Sequence, residues 1–363
     1  MKLKLQPVRA WPPARALLGT VSLLSHSFIN DRNRIIMKTI RPHIKFSSVY
    51  VILLWGLVAS CTTTVTDETG LAVNAITFQS PQTRATADGA FPAESSFKVW
   101  GYRTPTGEST PVPVFNGVEV TESGGVWSYG GETRYWEKEN TYDFYALYPS
   151  TVEASSTSQN TYLTIDSHTF GTDDILMAVR QNMNGNSPEV VSLTFRHLLS
   201  KLQFVVKADK ASQEIVGEIK LNSAKLYGLY KKGNYSGETF SADDVAQNGT
   251  WLGTAGSIGT SDAPNSQYSG NKEVTPDGIS VFDEDLLVMP YLLDNEVILE
   301  LNYKIGTTPV TKTFNLALAQ IARWEAGKNY RYSITIIDEE HILFEVPTVQ
   351  PWTSATGGII IVE

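Results

Sequence analysis

The chain contains 363 residues, with 38 acidic against 29 basic side chains and a formal net charge of −9 at pH 7. The acidic balance excludes a protein that binds nucleic acid through a basic surface, because neutralising phosphates requires clustered lysine and arginine. A single cysteine excludes disulfide bonds within the chain, so packed secondary structure must supply the stability.

The first predicted element is an export leader that ends at the single cysteine. Basic residues come first, followed by an apolar run over residues 49–54 and by small residues immediately before Cys61. This order is typical of a cleaved signal peptide, and the apolar run is too short to span a membrane. We therefore predict a lipoprotein signal peptide over residues 37–60, with Cys61 as the lipid-anchored first residue of the exported chain.

Residues 1–36 precede Met37, which itself starts a compact leader, and we interpret them as a misassigned start that contributes nothing to the fold. Removal of residues 1–60 leaves 20 basic and 37 acidic side chains in 303 residues, a net charge near −17. This length exceeds the roughly 250 to 300 residues at which one hydrophobic core stops growing, so two domains are expected.

An extended segment follows the predicted anchor. Residues 71–75 place apolar side chains at alternate positions, and Ile76 and Phe78 continue the alternation after a shift of register. Arg84 then lies among proline, serine and threonine residues, which indicates an exposed loop. The segment is either a strand that a cut after Arg84 would free or a permanent edge strand followed by a solvated charge.

The rest of the chain is dominated by side chains that alternate between apolar and polar, a pattern typical of half-buried antiparallel strands. Val297, Leu299 and Leu301 share one parity while Glu300 and Asn302 share the other. Residues 191–197 and 202–207 alternate in the same way, and aromatic and β-branched residues fill the runs 97–102, 142–148, 330–337 and 342–346. The sequence therefore predicts an all-β fold.

Interruptions of this pattern divide the chain. The best helical candidate, residues 314–324, is short and is equally compatible with a strand and a turn. Serine, threonine, glycine and asparagine predict loops over residues 150–160 and 253–271. One alternating strand ends and the next begins near residues 198–201, where we place the domain boundary.

The C-terminal residues have the character of a strand that needs a partner. Gly357 and Gly358 precede four consecutive β-branched apolar residues, Ile359, Ile360, Ile361 and Val362. Such a strand aggregates unless it is paired. It either pairs within its own domain or is donated to another subunit. Trp352 is expected to anchor the segment that precedes this strand.

Catalytic and metal-binding patterns are weak in this sequence. Asp173 and Asp174, and the acidic residues at 283–285, are expected to be solvated turn residues, and no catalytic residue, metal ligand or cofactor is predicted. His197 shares parity with Phe195, which predicts a buried and hydrogen-bonded histidine. Several tryptophans could stack on sugars, although core packing is the commoner role of such side chains.

A set of short sequence pieces follows the predicted lipid-anchored Cys61 along the chain. The pieces are Ile76-Thr77-Phe78-Gln79 with Thr83-Arg84-Ala85, Tyr142-Asp143-Phe144-Tyr145-Ala146 with Tyr148-Pro149, Asp174-Ile175-Leu176-Met177-Ala178, Leu193-Thr194-Phe195-Arg196-His197 with Leu199-Ser200-Lys201-Leu202, and Trp324 with Gly327-Lys328-Asn329-Tyr330-Arg331-Tyr332. Together with a cysteine behind a signal peptide, these pieces resemble the Bacteroides-type fimbrillins, also called type V pilins.

This resemblance implies two tandem β-sandwich domains of transthyretin-like topology, over residues 85–199 and 200–363. It implies export to the outer membrane as a lipoprotein, removal of residues 61–84 by an arginine-specific protease that cuts between Arg84 and Ala85, and polymerisation with other fimbrial subunits. A donor strand, with residues 357–363 as the candidate, would fill the groove that the cut exposes. Cell adhesion is the implied role.

The alternative is a monomeric surface lipoprotein that binds glycans and keeps both its lipid and its first strand. Retention of residues 61–84 in the surface form would distinguish this alternative from a fimbrial subunit.

Overall fold

The computed structural model describes residues 74–79, 82–83, 95–157, 160–211, 214, 217–237, 249–293, 296–318 and 321–352. All of them belong to one compact unit, Thr63–Glu363. Within this described part, no helical segment has the length and apolar character that crossing a bilayer requires.

Strands make up nearly all of the regular structure. In the first half they are Gln82–Thr83 (β1), Ser96–Pro105 (β2), Val112–Ser123 (β3), Val126–Tyr129 (β4), Asn140–Tyr148 (β5), Ala154–Thr157 (β6), Asn160–Thr169 (β7), Leu176–Asn184 (β8) and Thr194–His197 (β9). In the second half they are Ser200–Ala208 (β10), Ile219–Tyr227 (β11), Lys232–Gly237 (β12), Gly249–Gly253 (β13), Ser266–Glu273 (β14), Ile279–Ser280 (β15), Leu286–Val288 (β16), Tyr291–Leu292 (β17), Ile298–Ile305 (β18), Thr308–Asn315 (β19), Arg323–Trp324 (β20), Lys328–Ile336 (β21), Ile342–Phe344 (β22) and Thr348–Pro351 (β23).

The predicted all-β fold is confirmed, and the alternating pattern explains it locally. Along β18 the residues Leu299, Leu301 and Tyr303 are buried, whereas the polar residues between them are more exposed. The strand therefore presents one face to a core and one to the outside, as period-2 alternation requires.

The first half is built on a seven-stranded sheet with the order β1-β9-β8-β5-β2-β3-β4. Its central strands are buried on both faces. In β5, Phe144 and Ala146 point into one core, and Tyr145 and Leu147 point into a second core on the opposite face. Two-sided burial explains why this strand is almost continuously apolar.

The second half is a sandwich of two sheets. One sheet has the order β15-β10-β21-β22, with β16 also paired to β10 and β23 to β21, and the other has the order β14-β11-β18-β19. Both sheets contribute to one core, for example through Phe204 and Tyr332 from the first and Leu221 and Leu301 from the second. A further pair, β17 with β20, brings the fully buried Trp324 against this core.

One four-stranded sheet draws on both halves of the sequence. Its order is β13-β12-β7-β6, so strands from before and after residue 200 lie side by side. The core on the outer face of β5 likewise contains Leu163 and Ile165 from β7 together with Tyr235, Leu287 and Trp352. The chain passes from β9 to β10 at the place where the boundary is predicted, and the division into two domains stays a prediction.

Two loop predictions are wrong in part. The stretch 150–160 contains β6, and the stretch 253–271 contains the beginning of β14. Both strands lie at the edge of a sheet and are rich in serine, and such sequences have the composition of loops because one side of the strand faces solvent. The stretch 314–324 contains the end of β19, a 3-10 helix (Leu316–Leu318) and β20, which is closer to the strand-and-turn alternative.

Candidate functional site: a segment docked in an aromatic groove

Residues 74–79, which we call the docked segment, contribute Ile76 and Phe78 to the core that contains Phe144 and Ala146 of β5. On one side the segment bonds to the loop before β5. The N–H of Ile76 donates to the carbonyl of Arg134 at 2.8 Å, and the N–H of Trp136 donates to the carbonyl of Asn74 at 2.9 Å. This pairing is antiparallel.

On its other side the docked segment runs parallel to the chain that leads into β9. The N–H of Gln79 donates to the carbonyl of Val191 at 3.0 Å, and the N–H of Val191 donates to the carbonyl of Thr77 at 2.8 Å. β1 extends this parallel pairing alongside β9. The segment is therefore bonded on both sides, and its removal would open a gap between two parts of the chain.

The side chains of the docked segment alternate as the sequence predicts. Ile76 is fully buried and Phe78 is 6% exposed, whereas Thr77 between them is only partly buried and Gln79 is exposed. The Phe78 ring meets four other rings edge to face, at centroid distances of 5.5 to 6.4 Å. We call these four rings the aromatic cage: Phe97, Phe115, Tyr129 and Phe144.

Tyr129 and Arg134 both form hydrogen bonds with the backbone of Ile76, and we call this pair the clip. The hydroxyl of Tyr129 donates to the carbonyl of Ile76 at 3.0 Å and accepts the N–H of Arg134 at 3.2 Å. Burial raises the pKa of the Tyr129 phenol, so the hydroxyl keeps the proton that it donates.

The guanidinium of Arg134 completes the clip by packing on the cage. It lies 4.6 Å from the centroid of the Phe115 ring and 5.4 Å from that of Tyr129, and its Nε donates to the carbonyl of Val114 at 2.7 Å. A cation over an aromatic face is attracted by the ring quadrupole. Arg134 therefore fixes both the carbonyl that receives Ile76 and the rings that receive Phe78.

The interactions of the docked segment are substantial in sum. Burying an aliphatic or aromatic side chain such as Ile76 or Phe78 contributes about 1.5 to 3 kcal/mol, before ordering costs. Each backbone hydrogen bond adds about 0.5 to 1.5 kcal/mol, and a buried group that loses its partner costs about 1 to 3 kcal/mol. An emptied groove would expose apolar rings and leave backbone groups of Arg134, Trp136 and Val191 unpaired, which favours any strand that can replace the segment.

A second feature holds the last described residue. The Trp352 ring stacks on His197 with centroids 3.9 Å apart, and the backbone N–H of Trp352 donates to the carbonyl of Gly327 at 2.8 Å. The Nζ of Lys201 lies 5.7 Å from the Trp352 ring. Nδ1 of His197 lies 2.7 Å from Oδ2 of Asp174. The residues that follow Trp352 therefore start from a fixed point, as the sequence predicts.

The histidine prediction is confirmed, because His197 is 3% exposed and hydrogen-bonded. The prediction that Asp174 is a solvated turn residue is wrong. It is half-buried against His197, because the strand partners Leu176 and His197 at the start of β8 bring the two side chains together.

The family of the chain follows from comparison with known proteins. The family model described as fimbrillin-like matches residues 83–352. The chain belongs to the fimbrillin-like family. None of the curated proteins compared with it matches.

Solved structures with a similar fold include a fimbrial protein from Bacteroides vulgatus, 16% identical, with a TM-score of 0.52 over 77% of this chain and 100% of that chain. A fimbrial assembly protein from Parabacteroides distasonis is 12% identical, with a TM-score of 0.36 over 77% of this chain and 97% of that chain. At such identities the likeness to the Bacteroides vulgatus structure shows the fold alone.

Several sequence predictions for this fimbrillin-like chain lie outside the described residues. They concern Cys61, the cut between Arg84 and Ala85, and the donor-strand residues Ile359, Ile360, Ile361 and Val362. Each stays a prediction. The described chain comes closest to them at Thr83, directly before Arg84, and at Trp352.

Sequence reasoning identified Ile76 and Phe78 but missed Tyr129 and Arg134. Neither clip residue belongs to a motif, and their partnership depends on a turn that folds Arg134 back over the end of β4. A lone arginine close to an aromatic strand is too common a pattern to single out this pair. The structure alone identifies the clip.

The other chemically suggestive residues of the fimbrillin-like chain have structural partners. Trp100, Trp127 and Trp136 are buried, as expected of core residues. Asp283 pairs with Lys272 at 2.7 Å. Among the described residues no group of three or more histidine, cysteine or acidic side chains is placed to hold a metal ion.

Proposed function

We propose that this chain is a structural subunit of a cell-surface fimbria, with cell adhesion as its role and no enzymatic activity. It is exported to the outer membrane as a lipoprotein anchored through Cys61. An arginine-specific protease cuts between Arg84 and Ala85, and the subunit then polymerises by accepting a donor strand from another copy.

The observation that carries this proposal is the docked segment with hydrogen bonds on both of its sides. All its described contacts with the rest of the subunit are non-covalent, and it is joined to β2 only through residues 80–94. A cut after Arg84 would turn it into a separable peptide. Loss of this peptide would open a groove with unpaired backbone groups on both walls, a site that favours strand addition.

Membership of the fimbrillin-like family and the fold shared with a fimbrial protein support the fimbrial role. The matched range gives further support, since it begins at Thr83 and ends at Trp352. The docked segment and the residues after 352 both fall outside it. In the proposal, the docked segment is removed by proteolysis, and the residues after 352 are donated to another subunit.

The proposed donor is the tail, residues 353–363, of a second copy. Trp352 is held in place by His197 and Gly327, so the tail starts from a fixed point. Eleven extended residues span about 36 Å, which is enough to reach a neighbouring subunit. The β-branched run 359–362 would then supply the apolar side chains that Ile76 and Phe78 had supplied.

A cross-linking experiment tests the donation. Tyr135 pairs with the docked segment and is 49% exposed, so a cysteine there lies on the groove wall. In a Cys61→Ser background, Tyr135→Cys and Ile360→Cys should form a disulfide between copies after treatment with an arginine-specific protease. The matched control pairs Ile360→Cys with Leu343→Cys, on the exposed face of β22.

The expected result is a ladder of covalent multimers for the Tyr135 pair and monomers for the Leu343 pair. Equal multimer formation by both pairs, or a disulfide confined to single subunits, would contradict donation of the tail.

A further inference from the structure

We propose that the groove selects its occupant by size and register, so that the docked segment binds it better than the tail of the same chain. This inference rests on the proposed strand exchange and adds the rule by which the groove chooses. It predicts that the tail cannot displace the docked segment while that segment remains attached.

The aromatic cage supplies the size selection. Its four rings surround Phe78 edge to face, an arrangement favoured between aromatic rings because a ring edge carries positive and a ring face negative partial charge. A smaller aliphatic side chain at this position would leave a void and lose the edge-to-face contacts. Voids in well-packed apolar sites weaken binding because the lining loses its contact atoms.

The clip supplies the register. It holds both backbone polar groups of Ile76, the N–H through the carbonyl of Arg134 and the carbonyl through the hydroxyl of Tyr129. Only one residue of an incoming strand can occupy this position. The side chain two places further on then meets the cage, because alternate side chains of a strand lie on the same face.

The tail meets these requirements incompletely. Its apolar residues at positions 359–362 offer two alternate pairs, Ile359 with Ile361 and Ile360 with Val362. Either pair fits the required spacing, but neither contains an aromatic ring. The tail can therefore enter an emptied groove in two registers, and in both of them it leaves part of the aromatic cage empty. Because it fits less well than the docked segment, that segment must be cut and removed first.

Hydrogen exchange on the uncut exported chain tests the cage and the clip. With Phe78→Ile, and separately with Tyr129→Phe, exchange of the Ile76 and Gln79 amides should accelerate at least tenfold while the Tyr332 amide in β21 stays protected. The matched controls are Phe314→Ile and Tyr227→Phe, in the second half of the chain, which should leave the Ile76 amide unchanged. Equal acceleration at Tyr332, or none at Ile76, would overturn the inference.

Peptide binding to the chain after cutting tests the selection directly. Synthetic tail peptides that carry Ile361→Phe or Val362→Phe cover the two registers, and the better of them should bind at least tenfold more tightly than the native tail peptide. Native binding equal to or tighter than both would overturn the size rule. If none of the three peptides binds, the proposed function is contradicted. The hydrogen-exchange experiment needs neither cutting nor polymerisation, so it tests independently whether the aromatic cage and the clip hold the docked segment.

Discussion

Single residues carry much of the organisation of this molecule, and Trp352 is the clearest case. It is 7% exposed, stacks on His197 and closes the core that both halves of the sequence share. Its ring fixes the point from which the tail leaves. Loss of this ring should therefore affect the stability of the whole unit as well as the position of the tail.

Trp352→Ala should lower the free energy of unfolding by about 3 to 5 kcal/mol, the cost of removing a large buried aromatic side chain. Urea unfolding followed by circular dichroism measures it. Leu252→Ala is the control, because Leu252 is 71% exposed, and a change within about 0.5 kcal/mol is expected there. Equal effects of the two substitutions would contradict the anchoring role of Trp352.

His168 gives a prediction for pH at the same scale. Its ring packs against Phe170 and Trp251, and burial lowers its pKa, although the nearby Asp173 acts in the opposite direction. The unfolded chain, with a histidine pKa of about 6.5, binds the proton more readily than the folded chain. The contribution of His168 to stability is therefore present above about pH 6.5 and is lost as the pH falls below it.

His168→Gln should consequently flatten the loss of stability between pH 7.5 and pH 5.5, measured as the urea midpoint at each pH. An unchanged slope would show that His168 does not titrate differently in the folded and unfolded chains.

At the scale of elements, the central strands of the seven-stranded sheet are packed on both faces. β2 lies between β3 and β5 and has a glycine, Gly101, where the rings of Phe115 and Phe144 come close. A Cβ at this position would lie 2.9 Å from Phe115 and 3.0 Å from Phe144. The absence of a side chain is thus what lets two aromatic rings cross the strand.

Gly101→Ala should destabilise the protein by about 1 to 3 kcal/mol, because overpacking a close-packed core forces its neighbours to move. Gly130→Ala is the matched control, since a Cβ there would have no atom within 4 Å. Thermal unfolding of both variants measures the difference, and a stable Gly101→Ala variant would contradict the tight packing of the cage rings around β2.

The elements also show how far sequence reasoning reaches. Alternation predicted β18 and β10, runs of aromatic and β-branched residues predicted β5 and β21, and the pattern of Ile76 and Phe78 predicted the docked segment. Sequence reasoning could not predict β6, in which Ala154 is followed only by serine and threonine, since pairing with β7 rather than an apolar pattern defines that strand. Nor could it predict the clip, since the contact between Tyr129 and Ile76 spans 53 residues and depends on the finished fold.

At the scale of the whole molecule, two ends of the described chain are held in different ways. The docked segment is fixed by hydrogen bonds on both sides and by the aromatic cage, whereas Trp352 is fixed by stacking in the shared core. In the proposed assembly, the first end leaves when the chain is cut and the second delivers the tail. This asymmetry is what a subunit needs if it is to accept a strand from one neighbour and donate one to the next.

Treatment of the purified precursor with an arginine-specific protease, followed by N-terminal sequencing and size measurement of the products, tests this account most directly. We predict a product that begins at Ala85, loss of the peptide that ends at Arg84, and conversion of monomers into polymers. An Arg84→Gln precursor should remain monomeric under the same treatment. A stable product that begins elsewhere, or a chain cut at Arg84 that stays monomeric with its groove filled, would contradict the account.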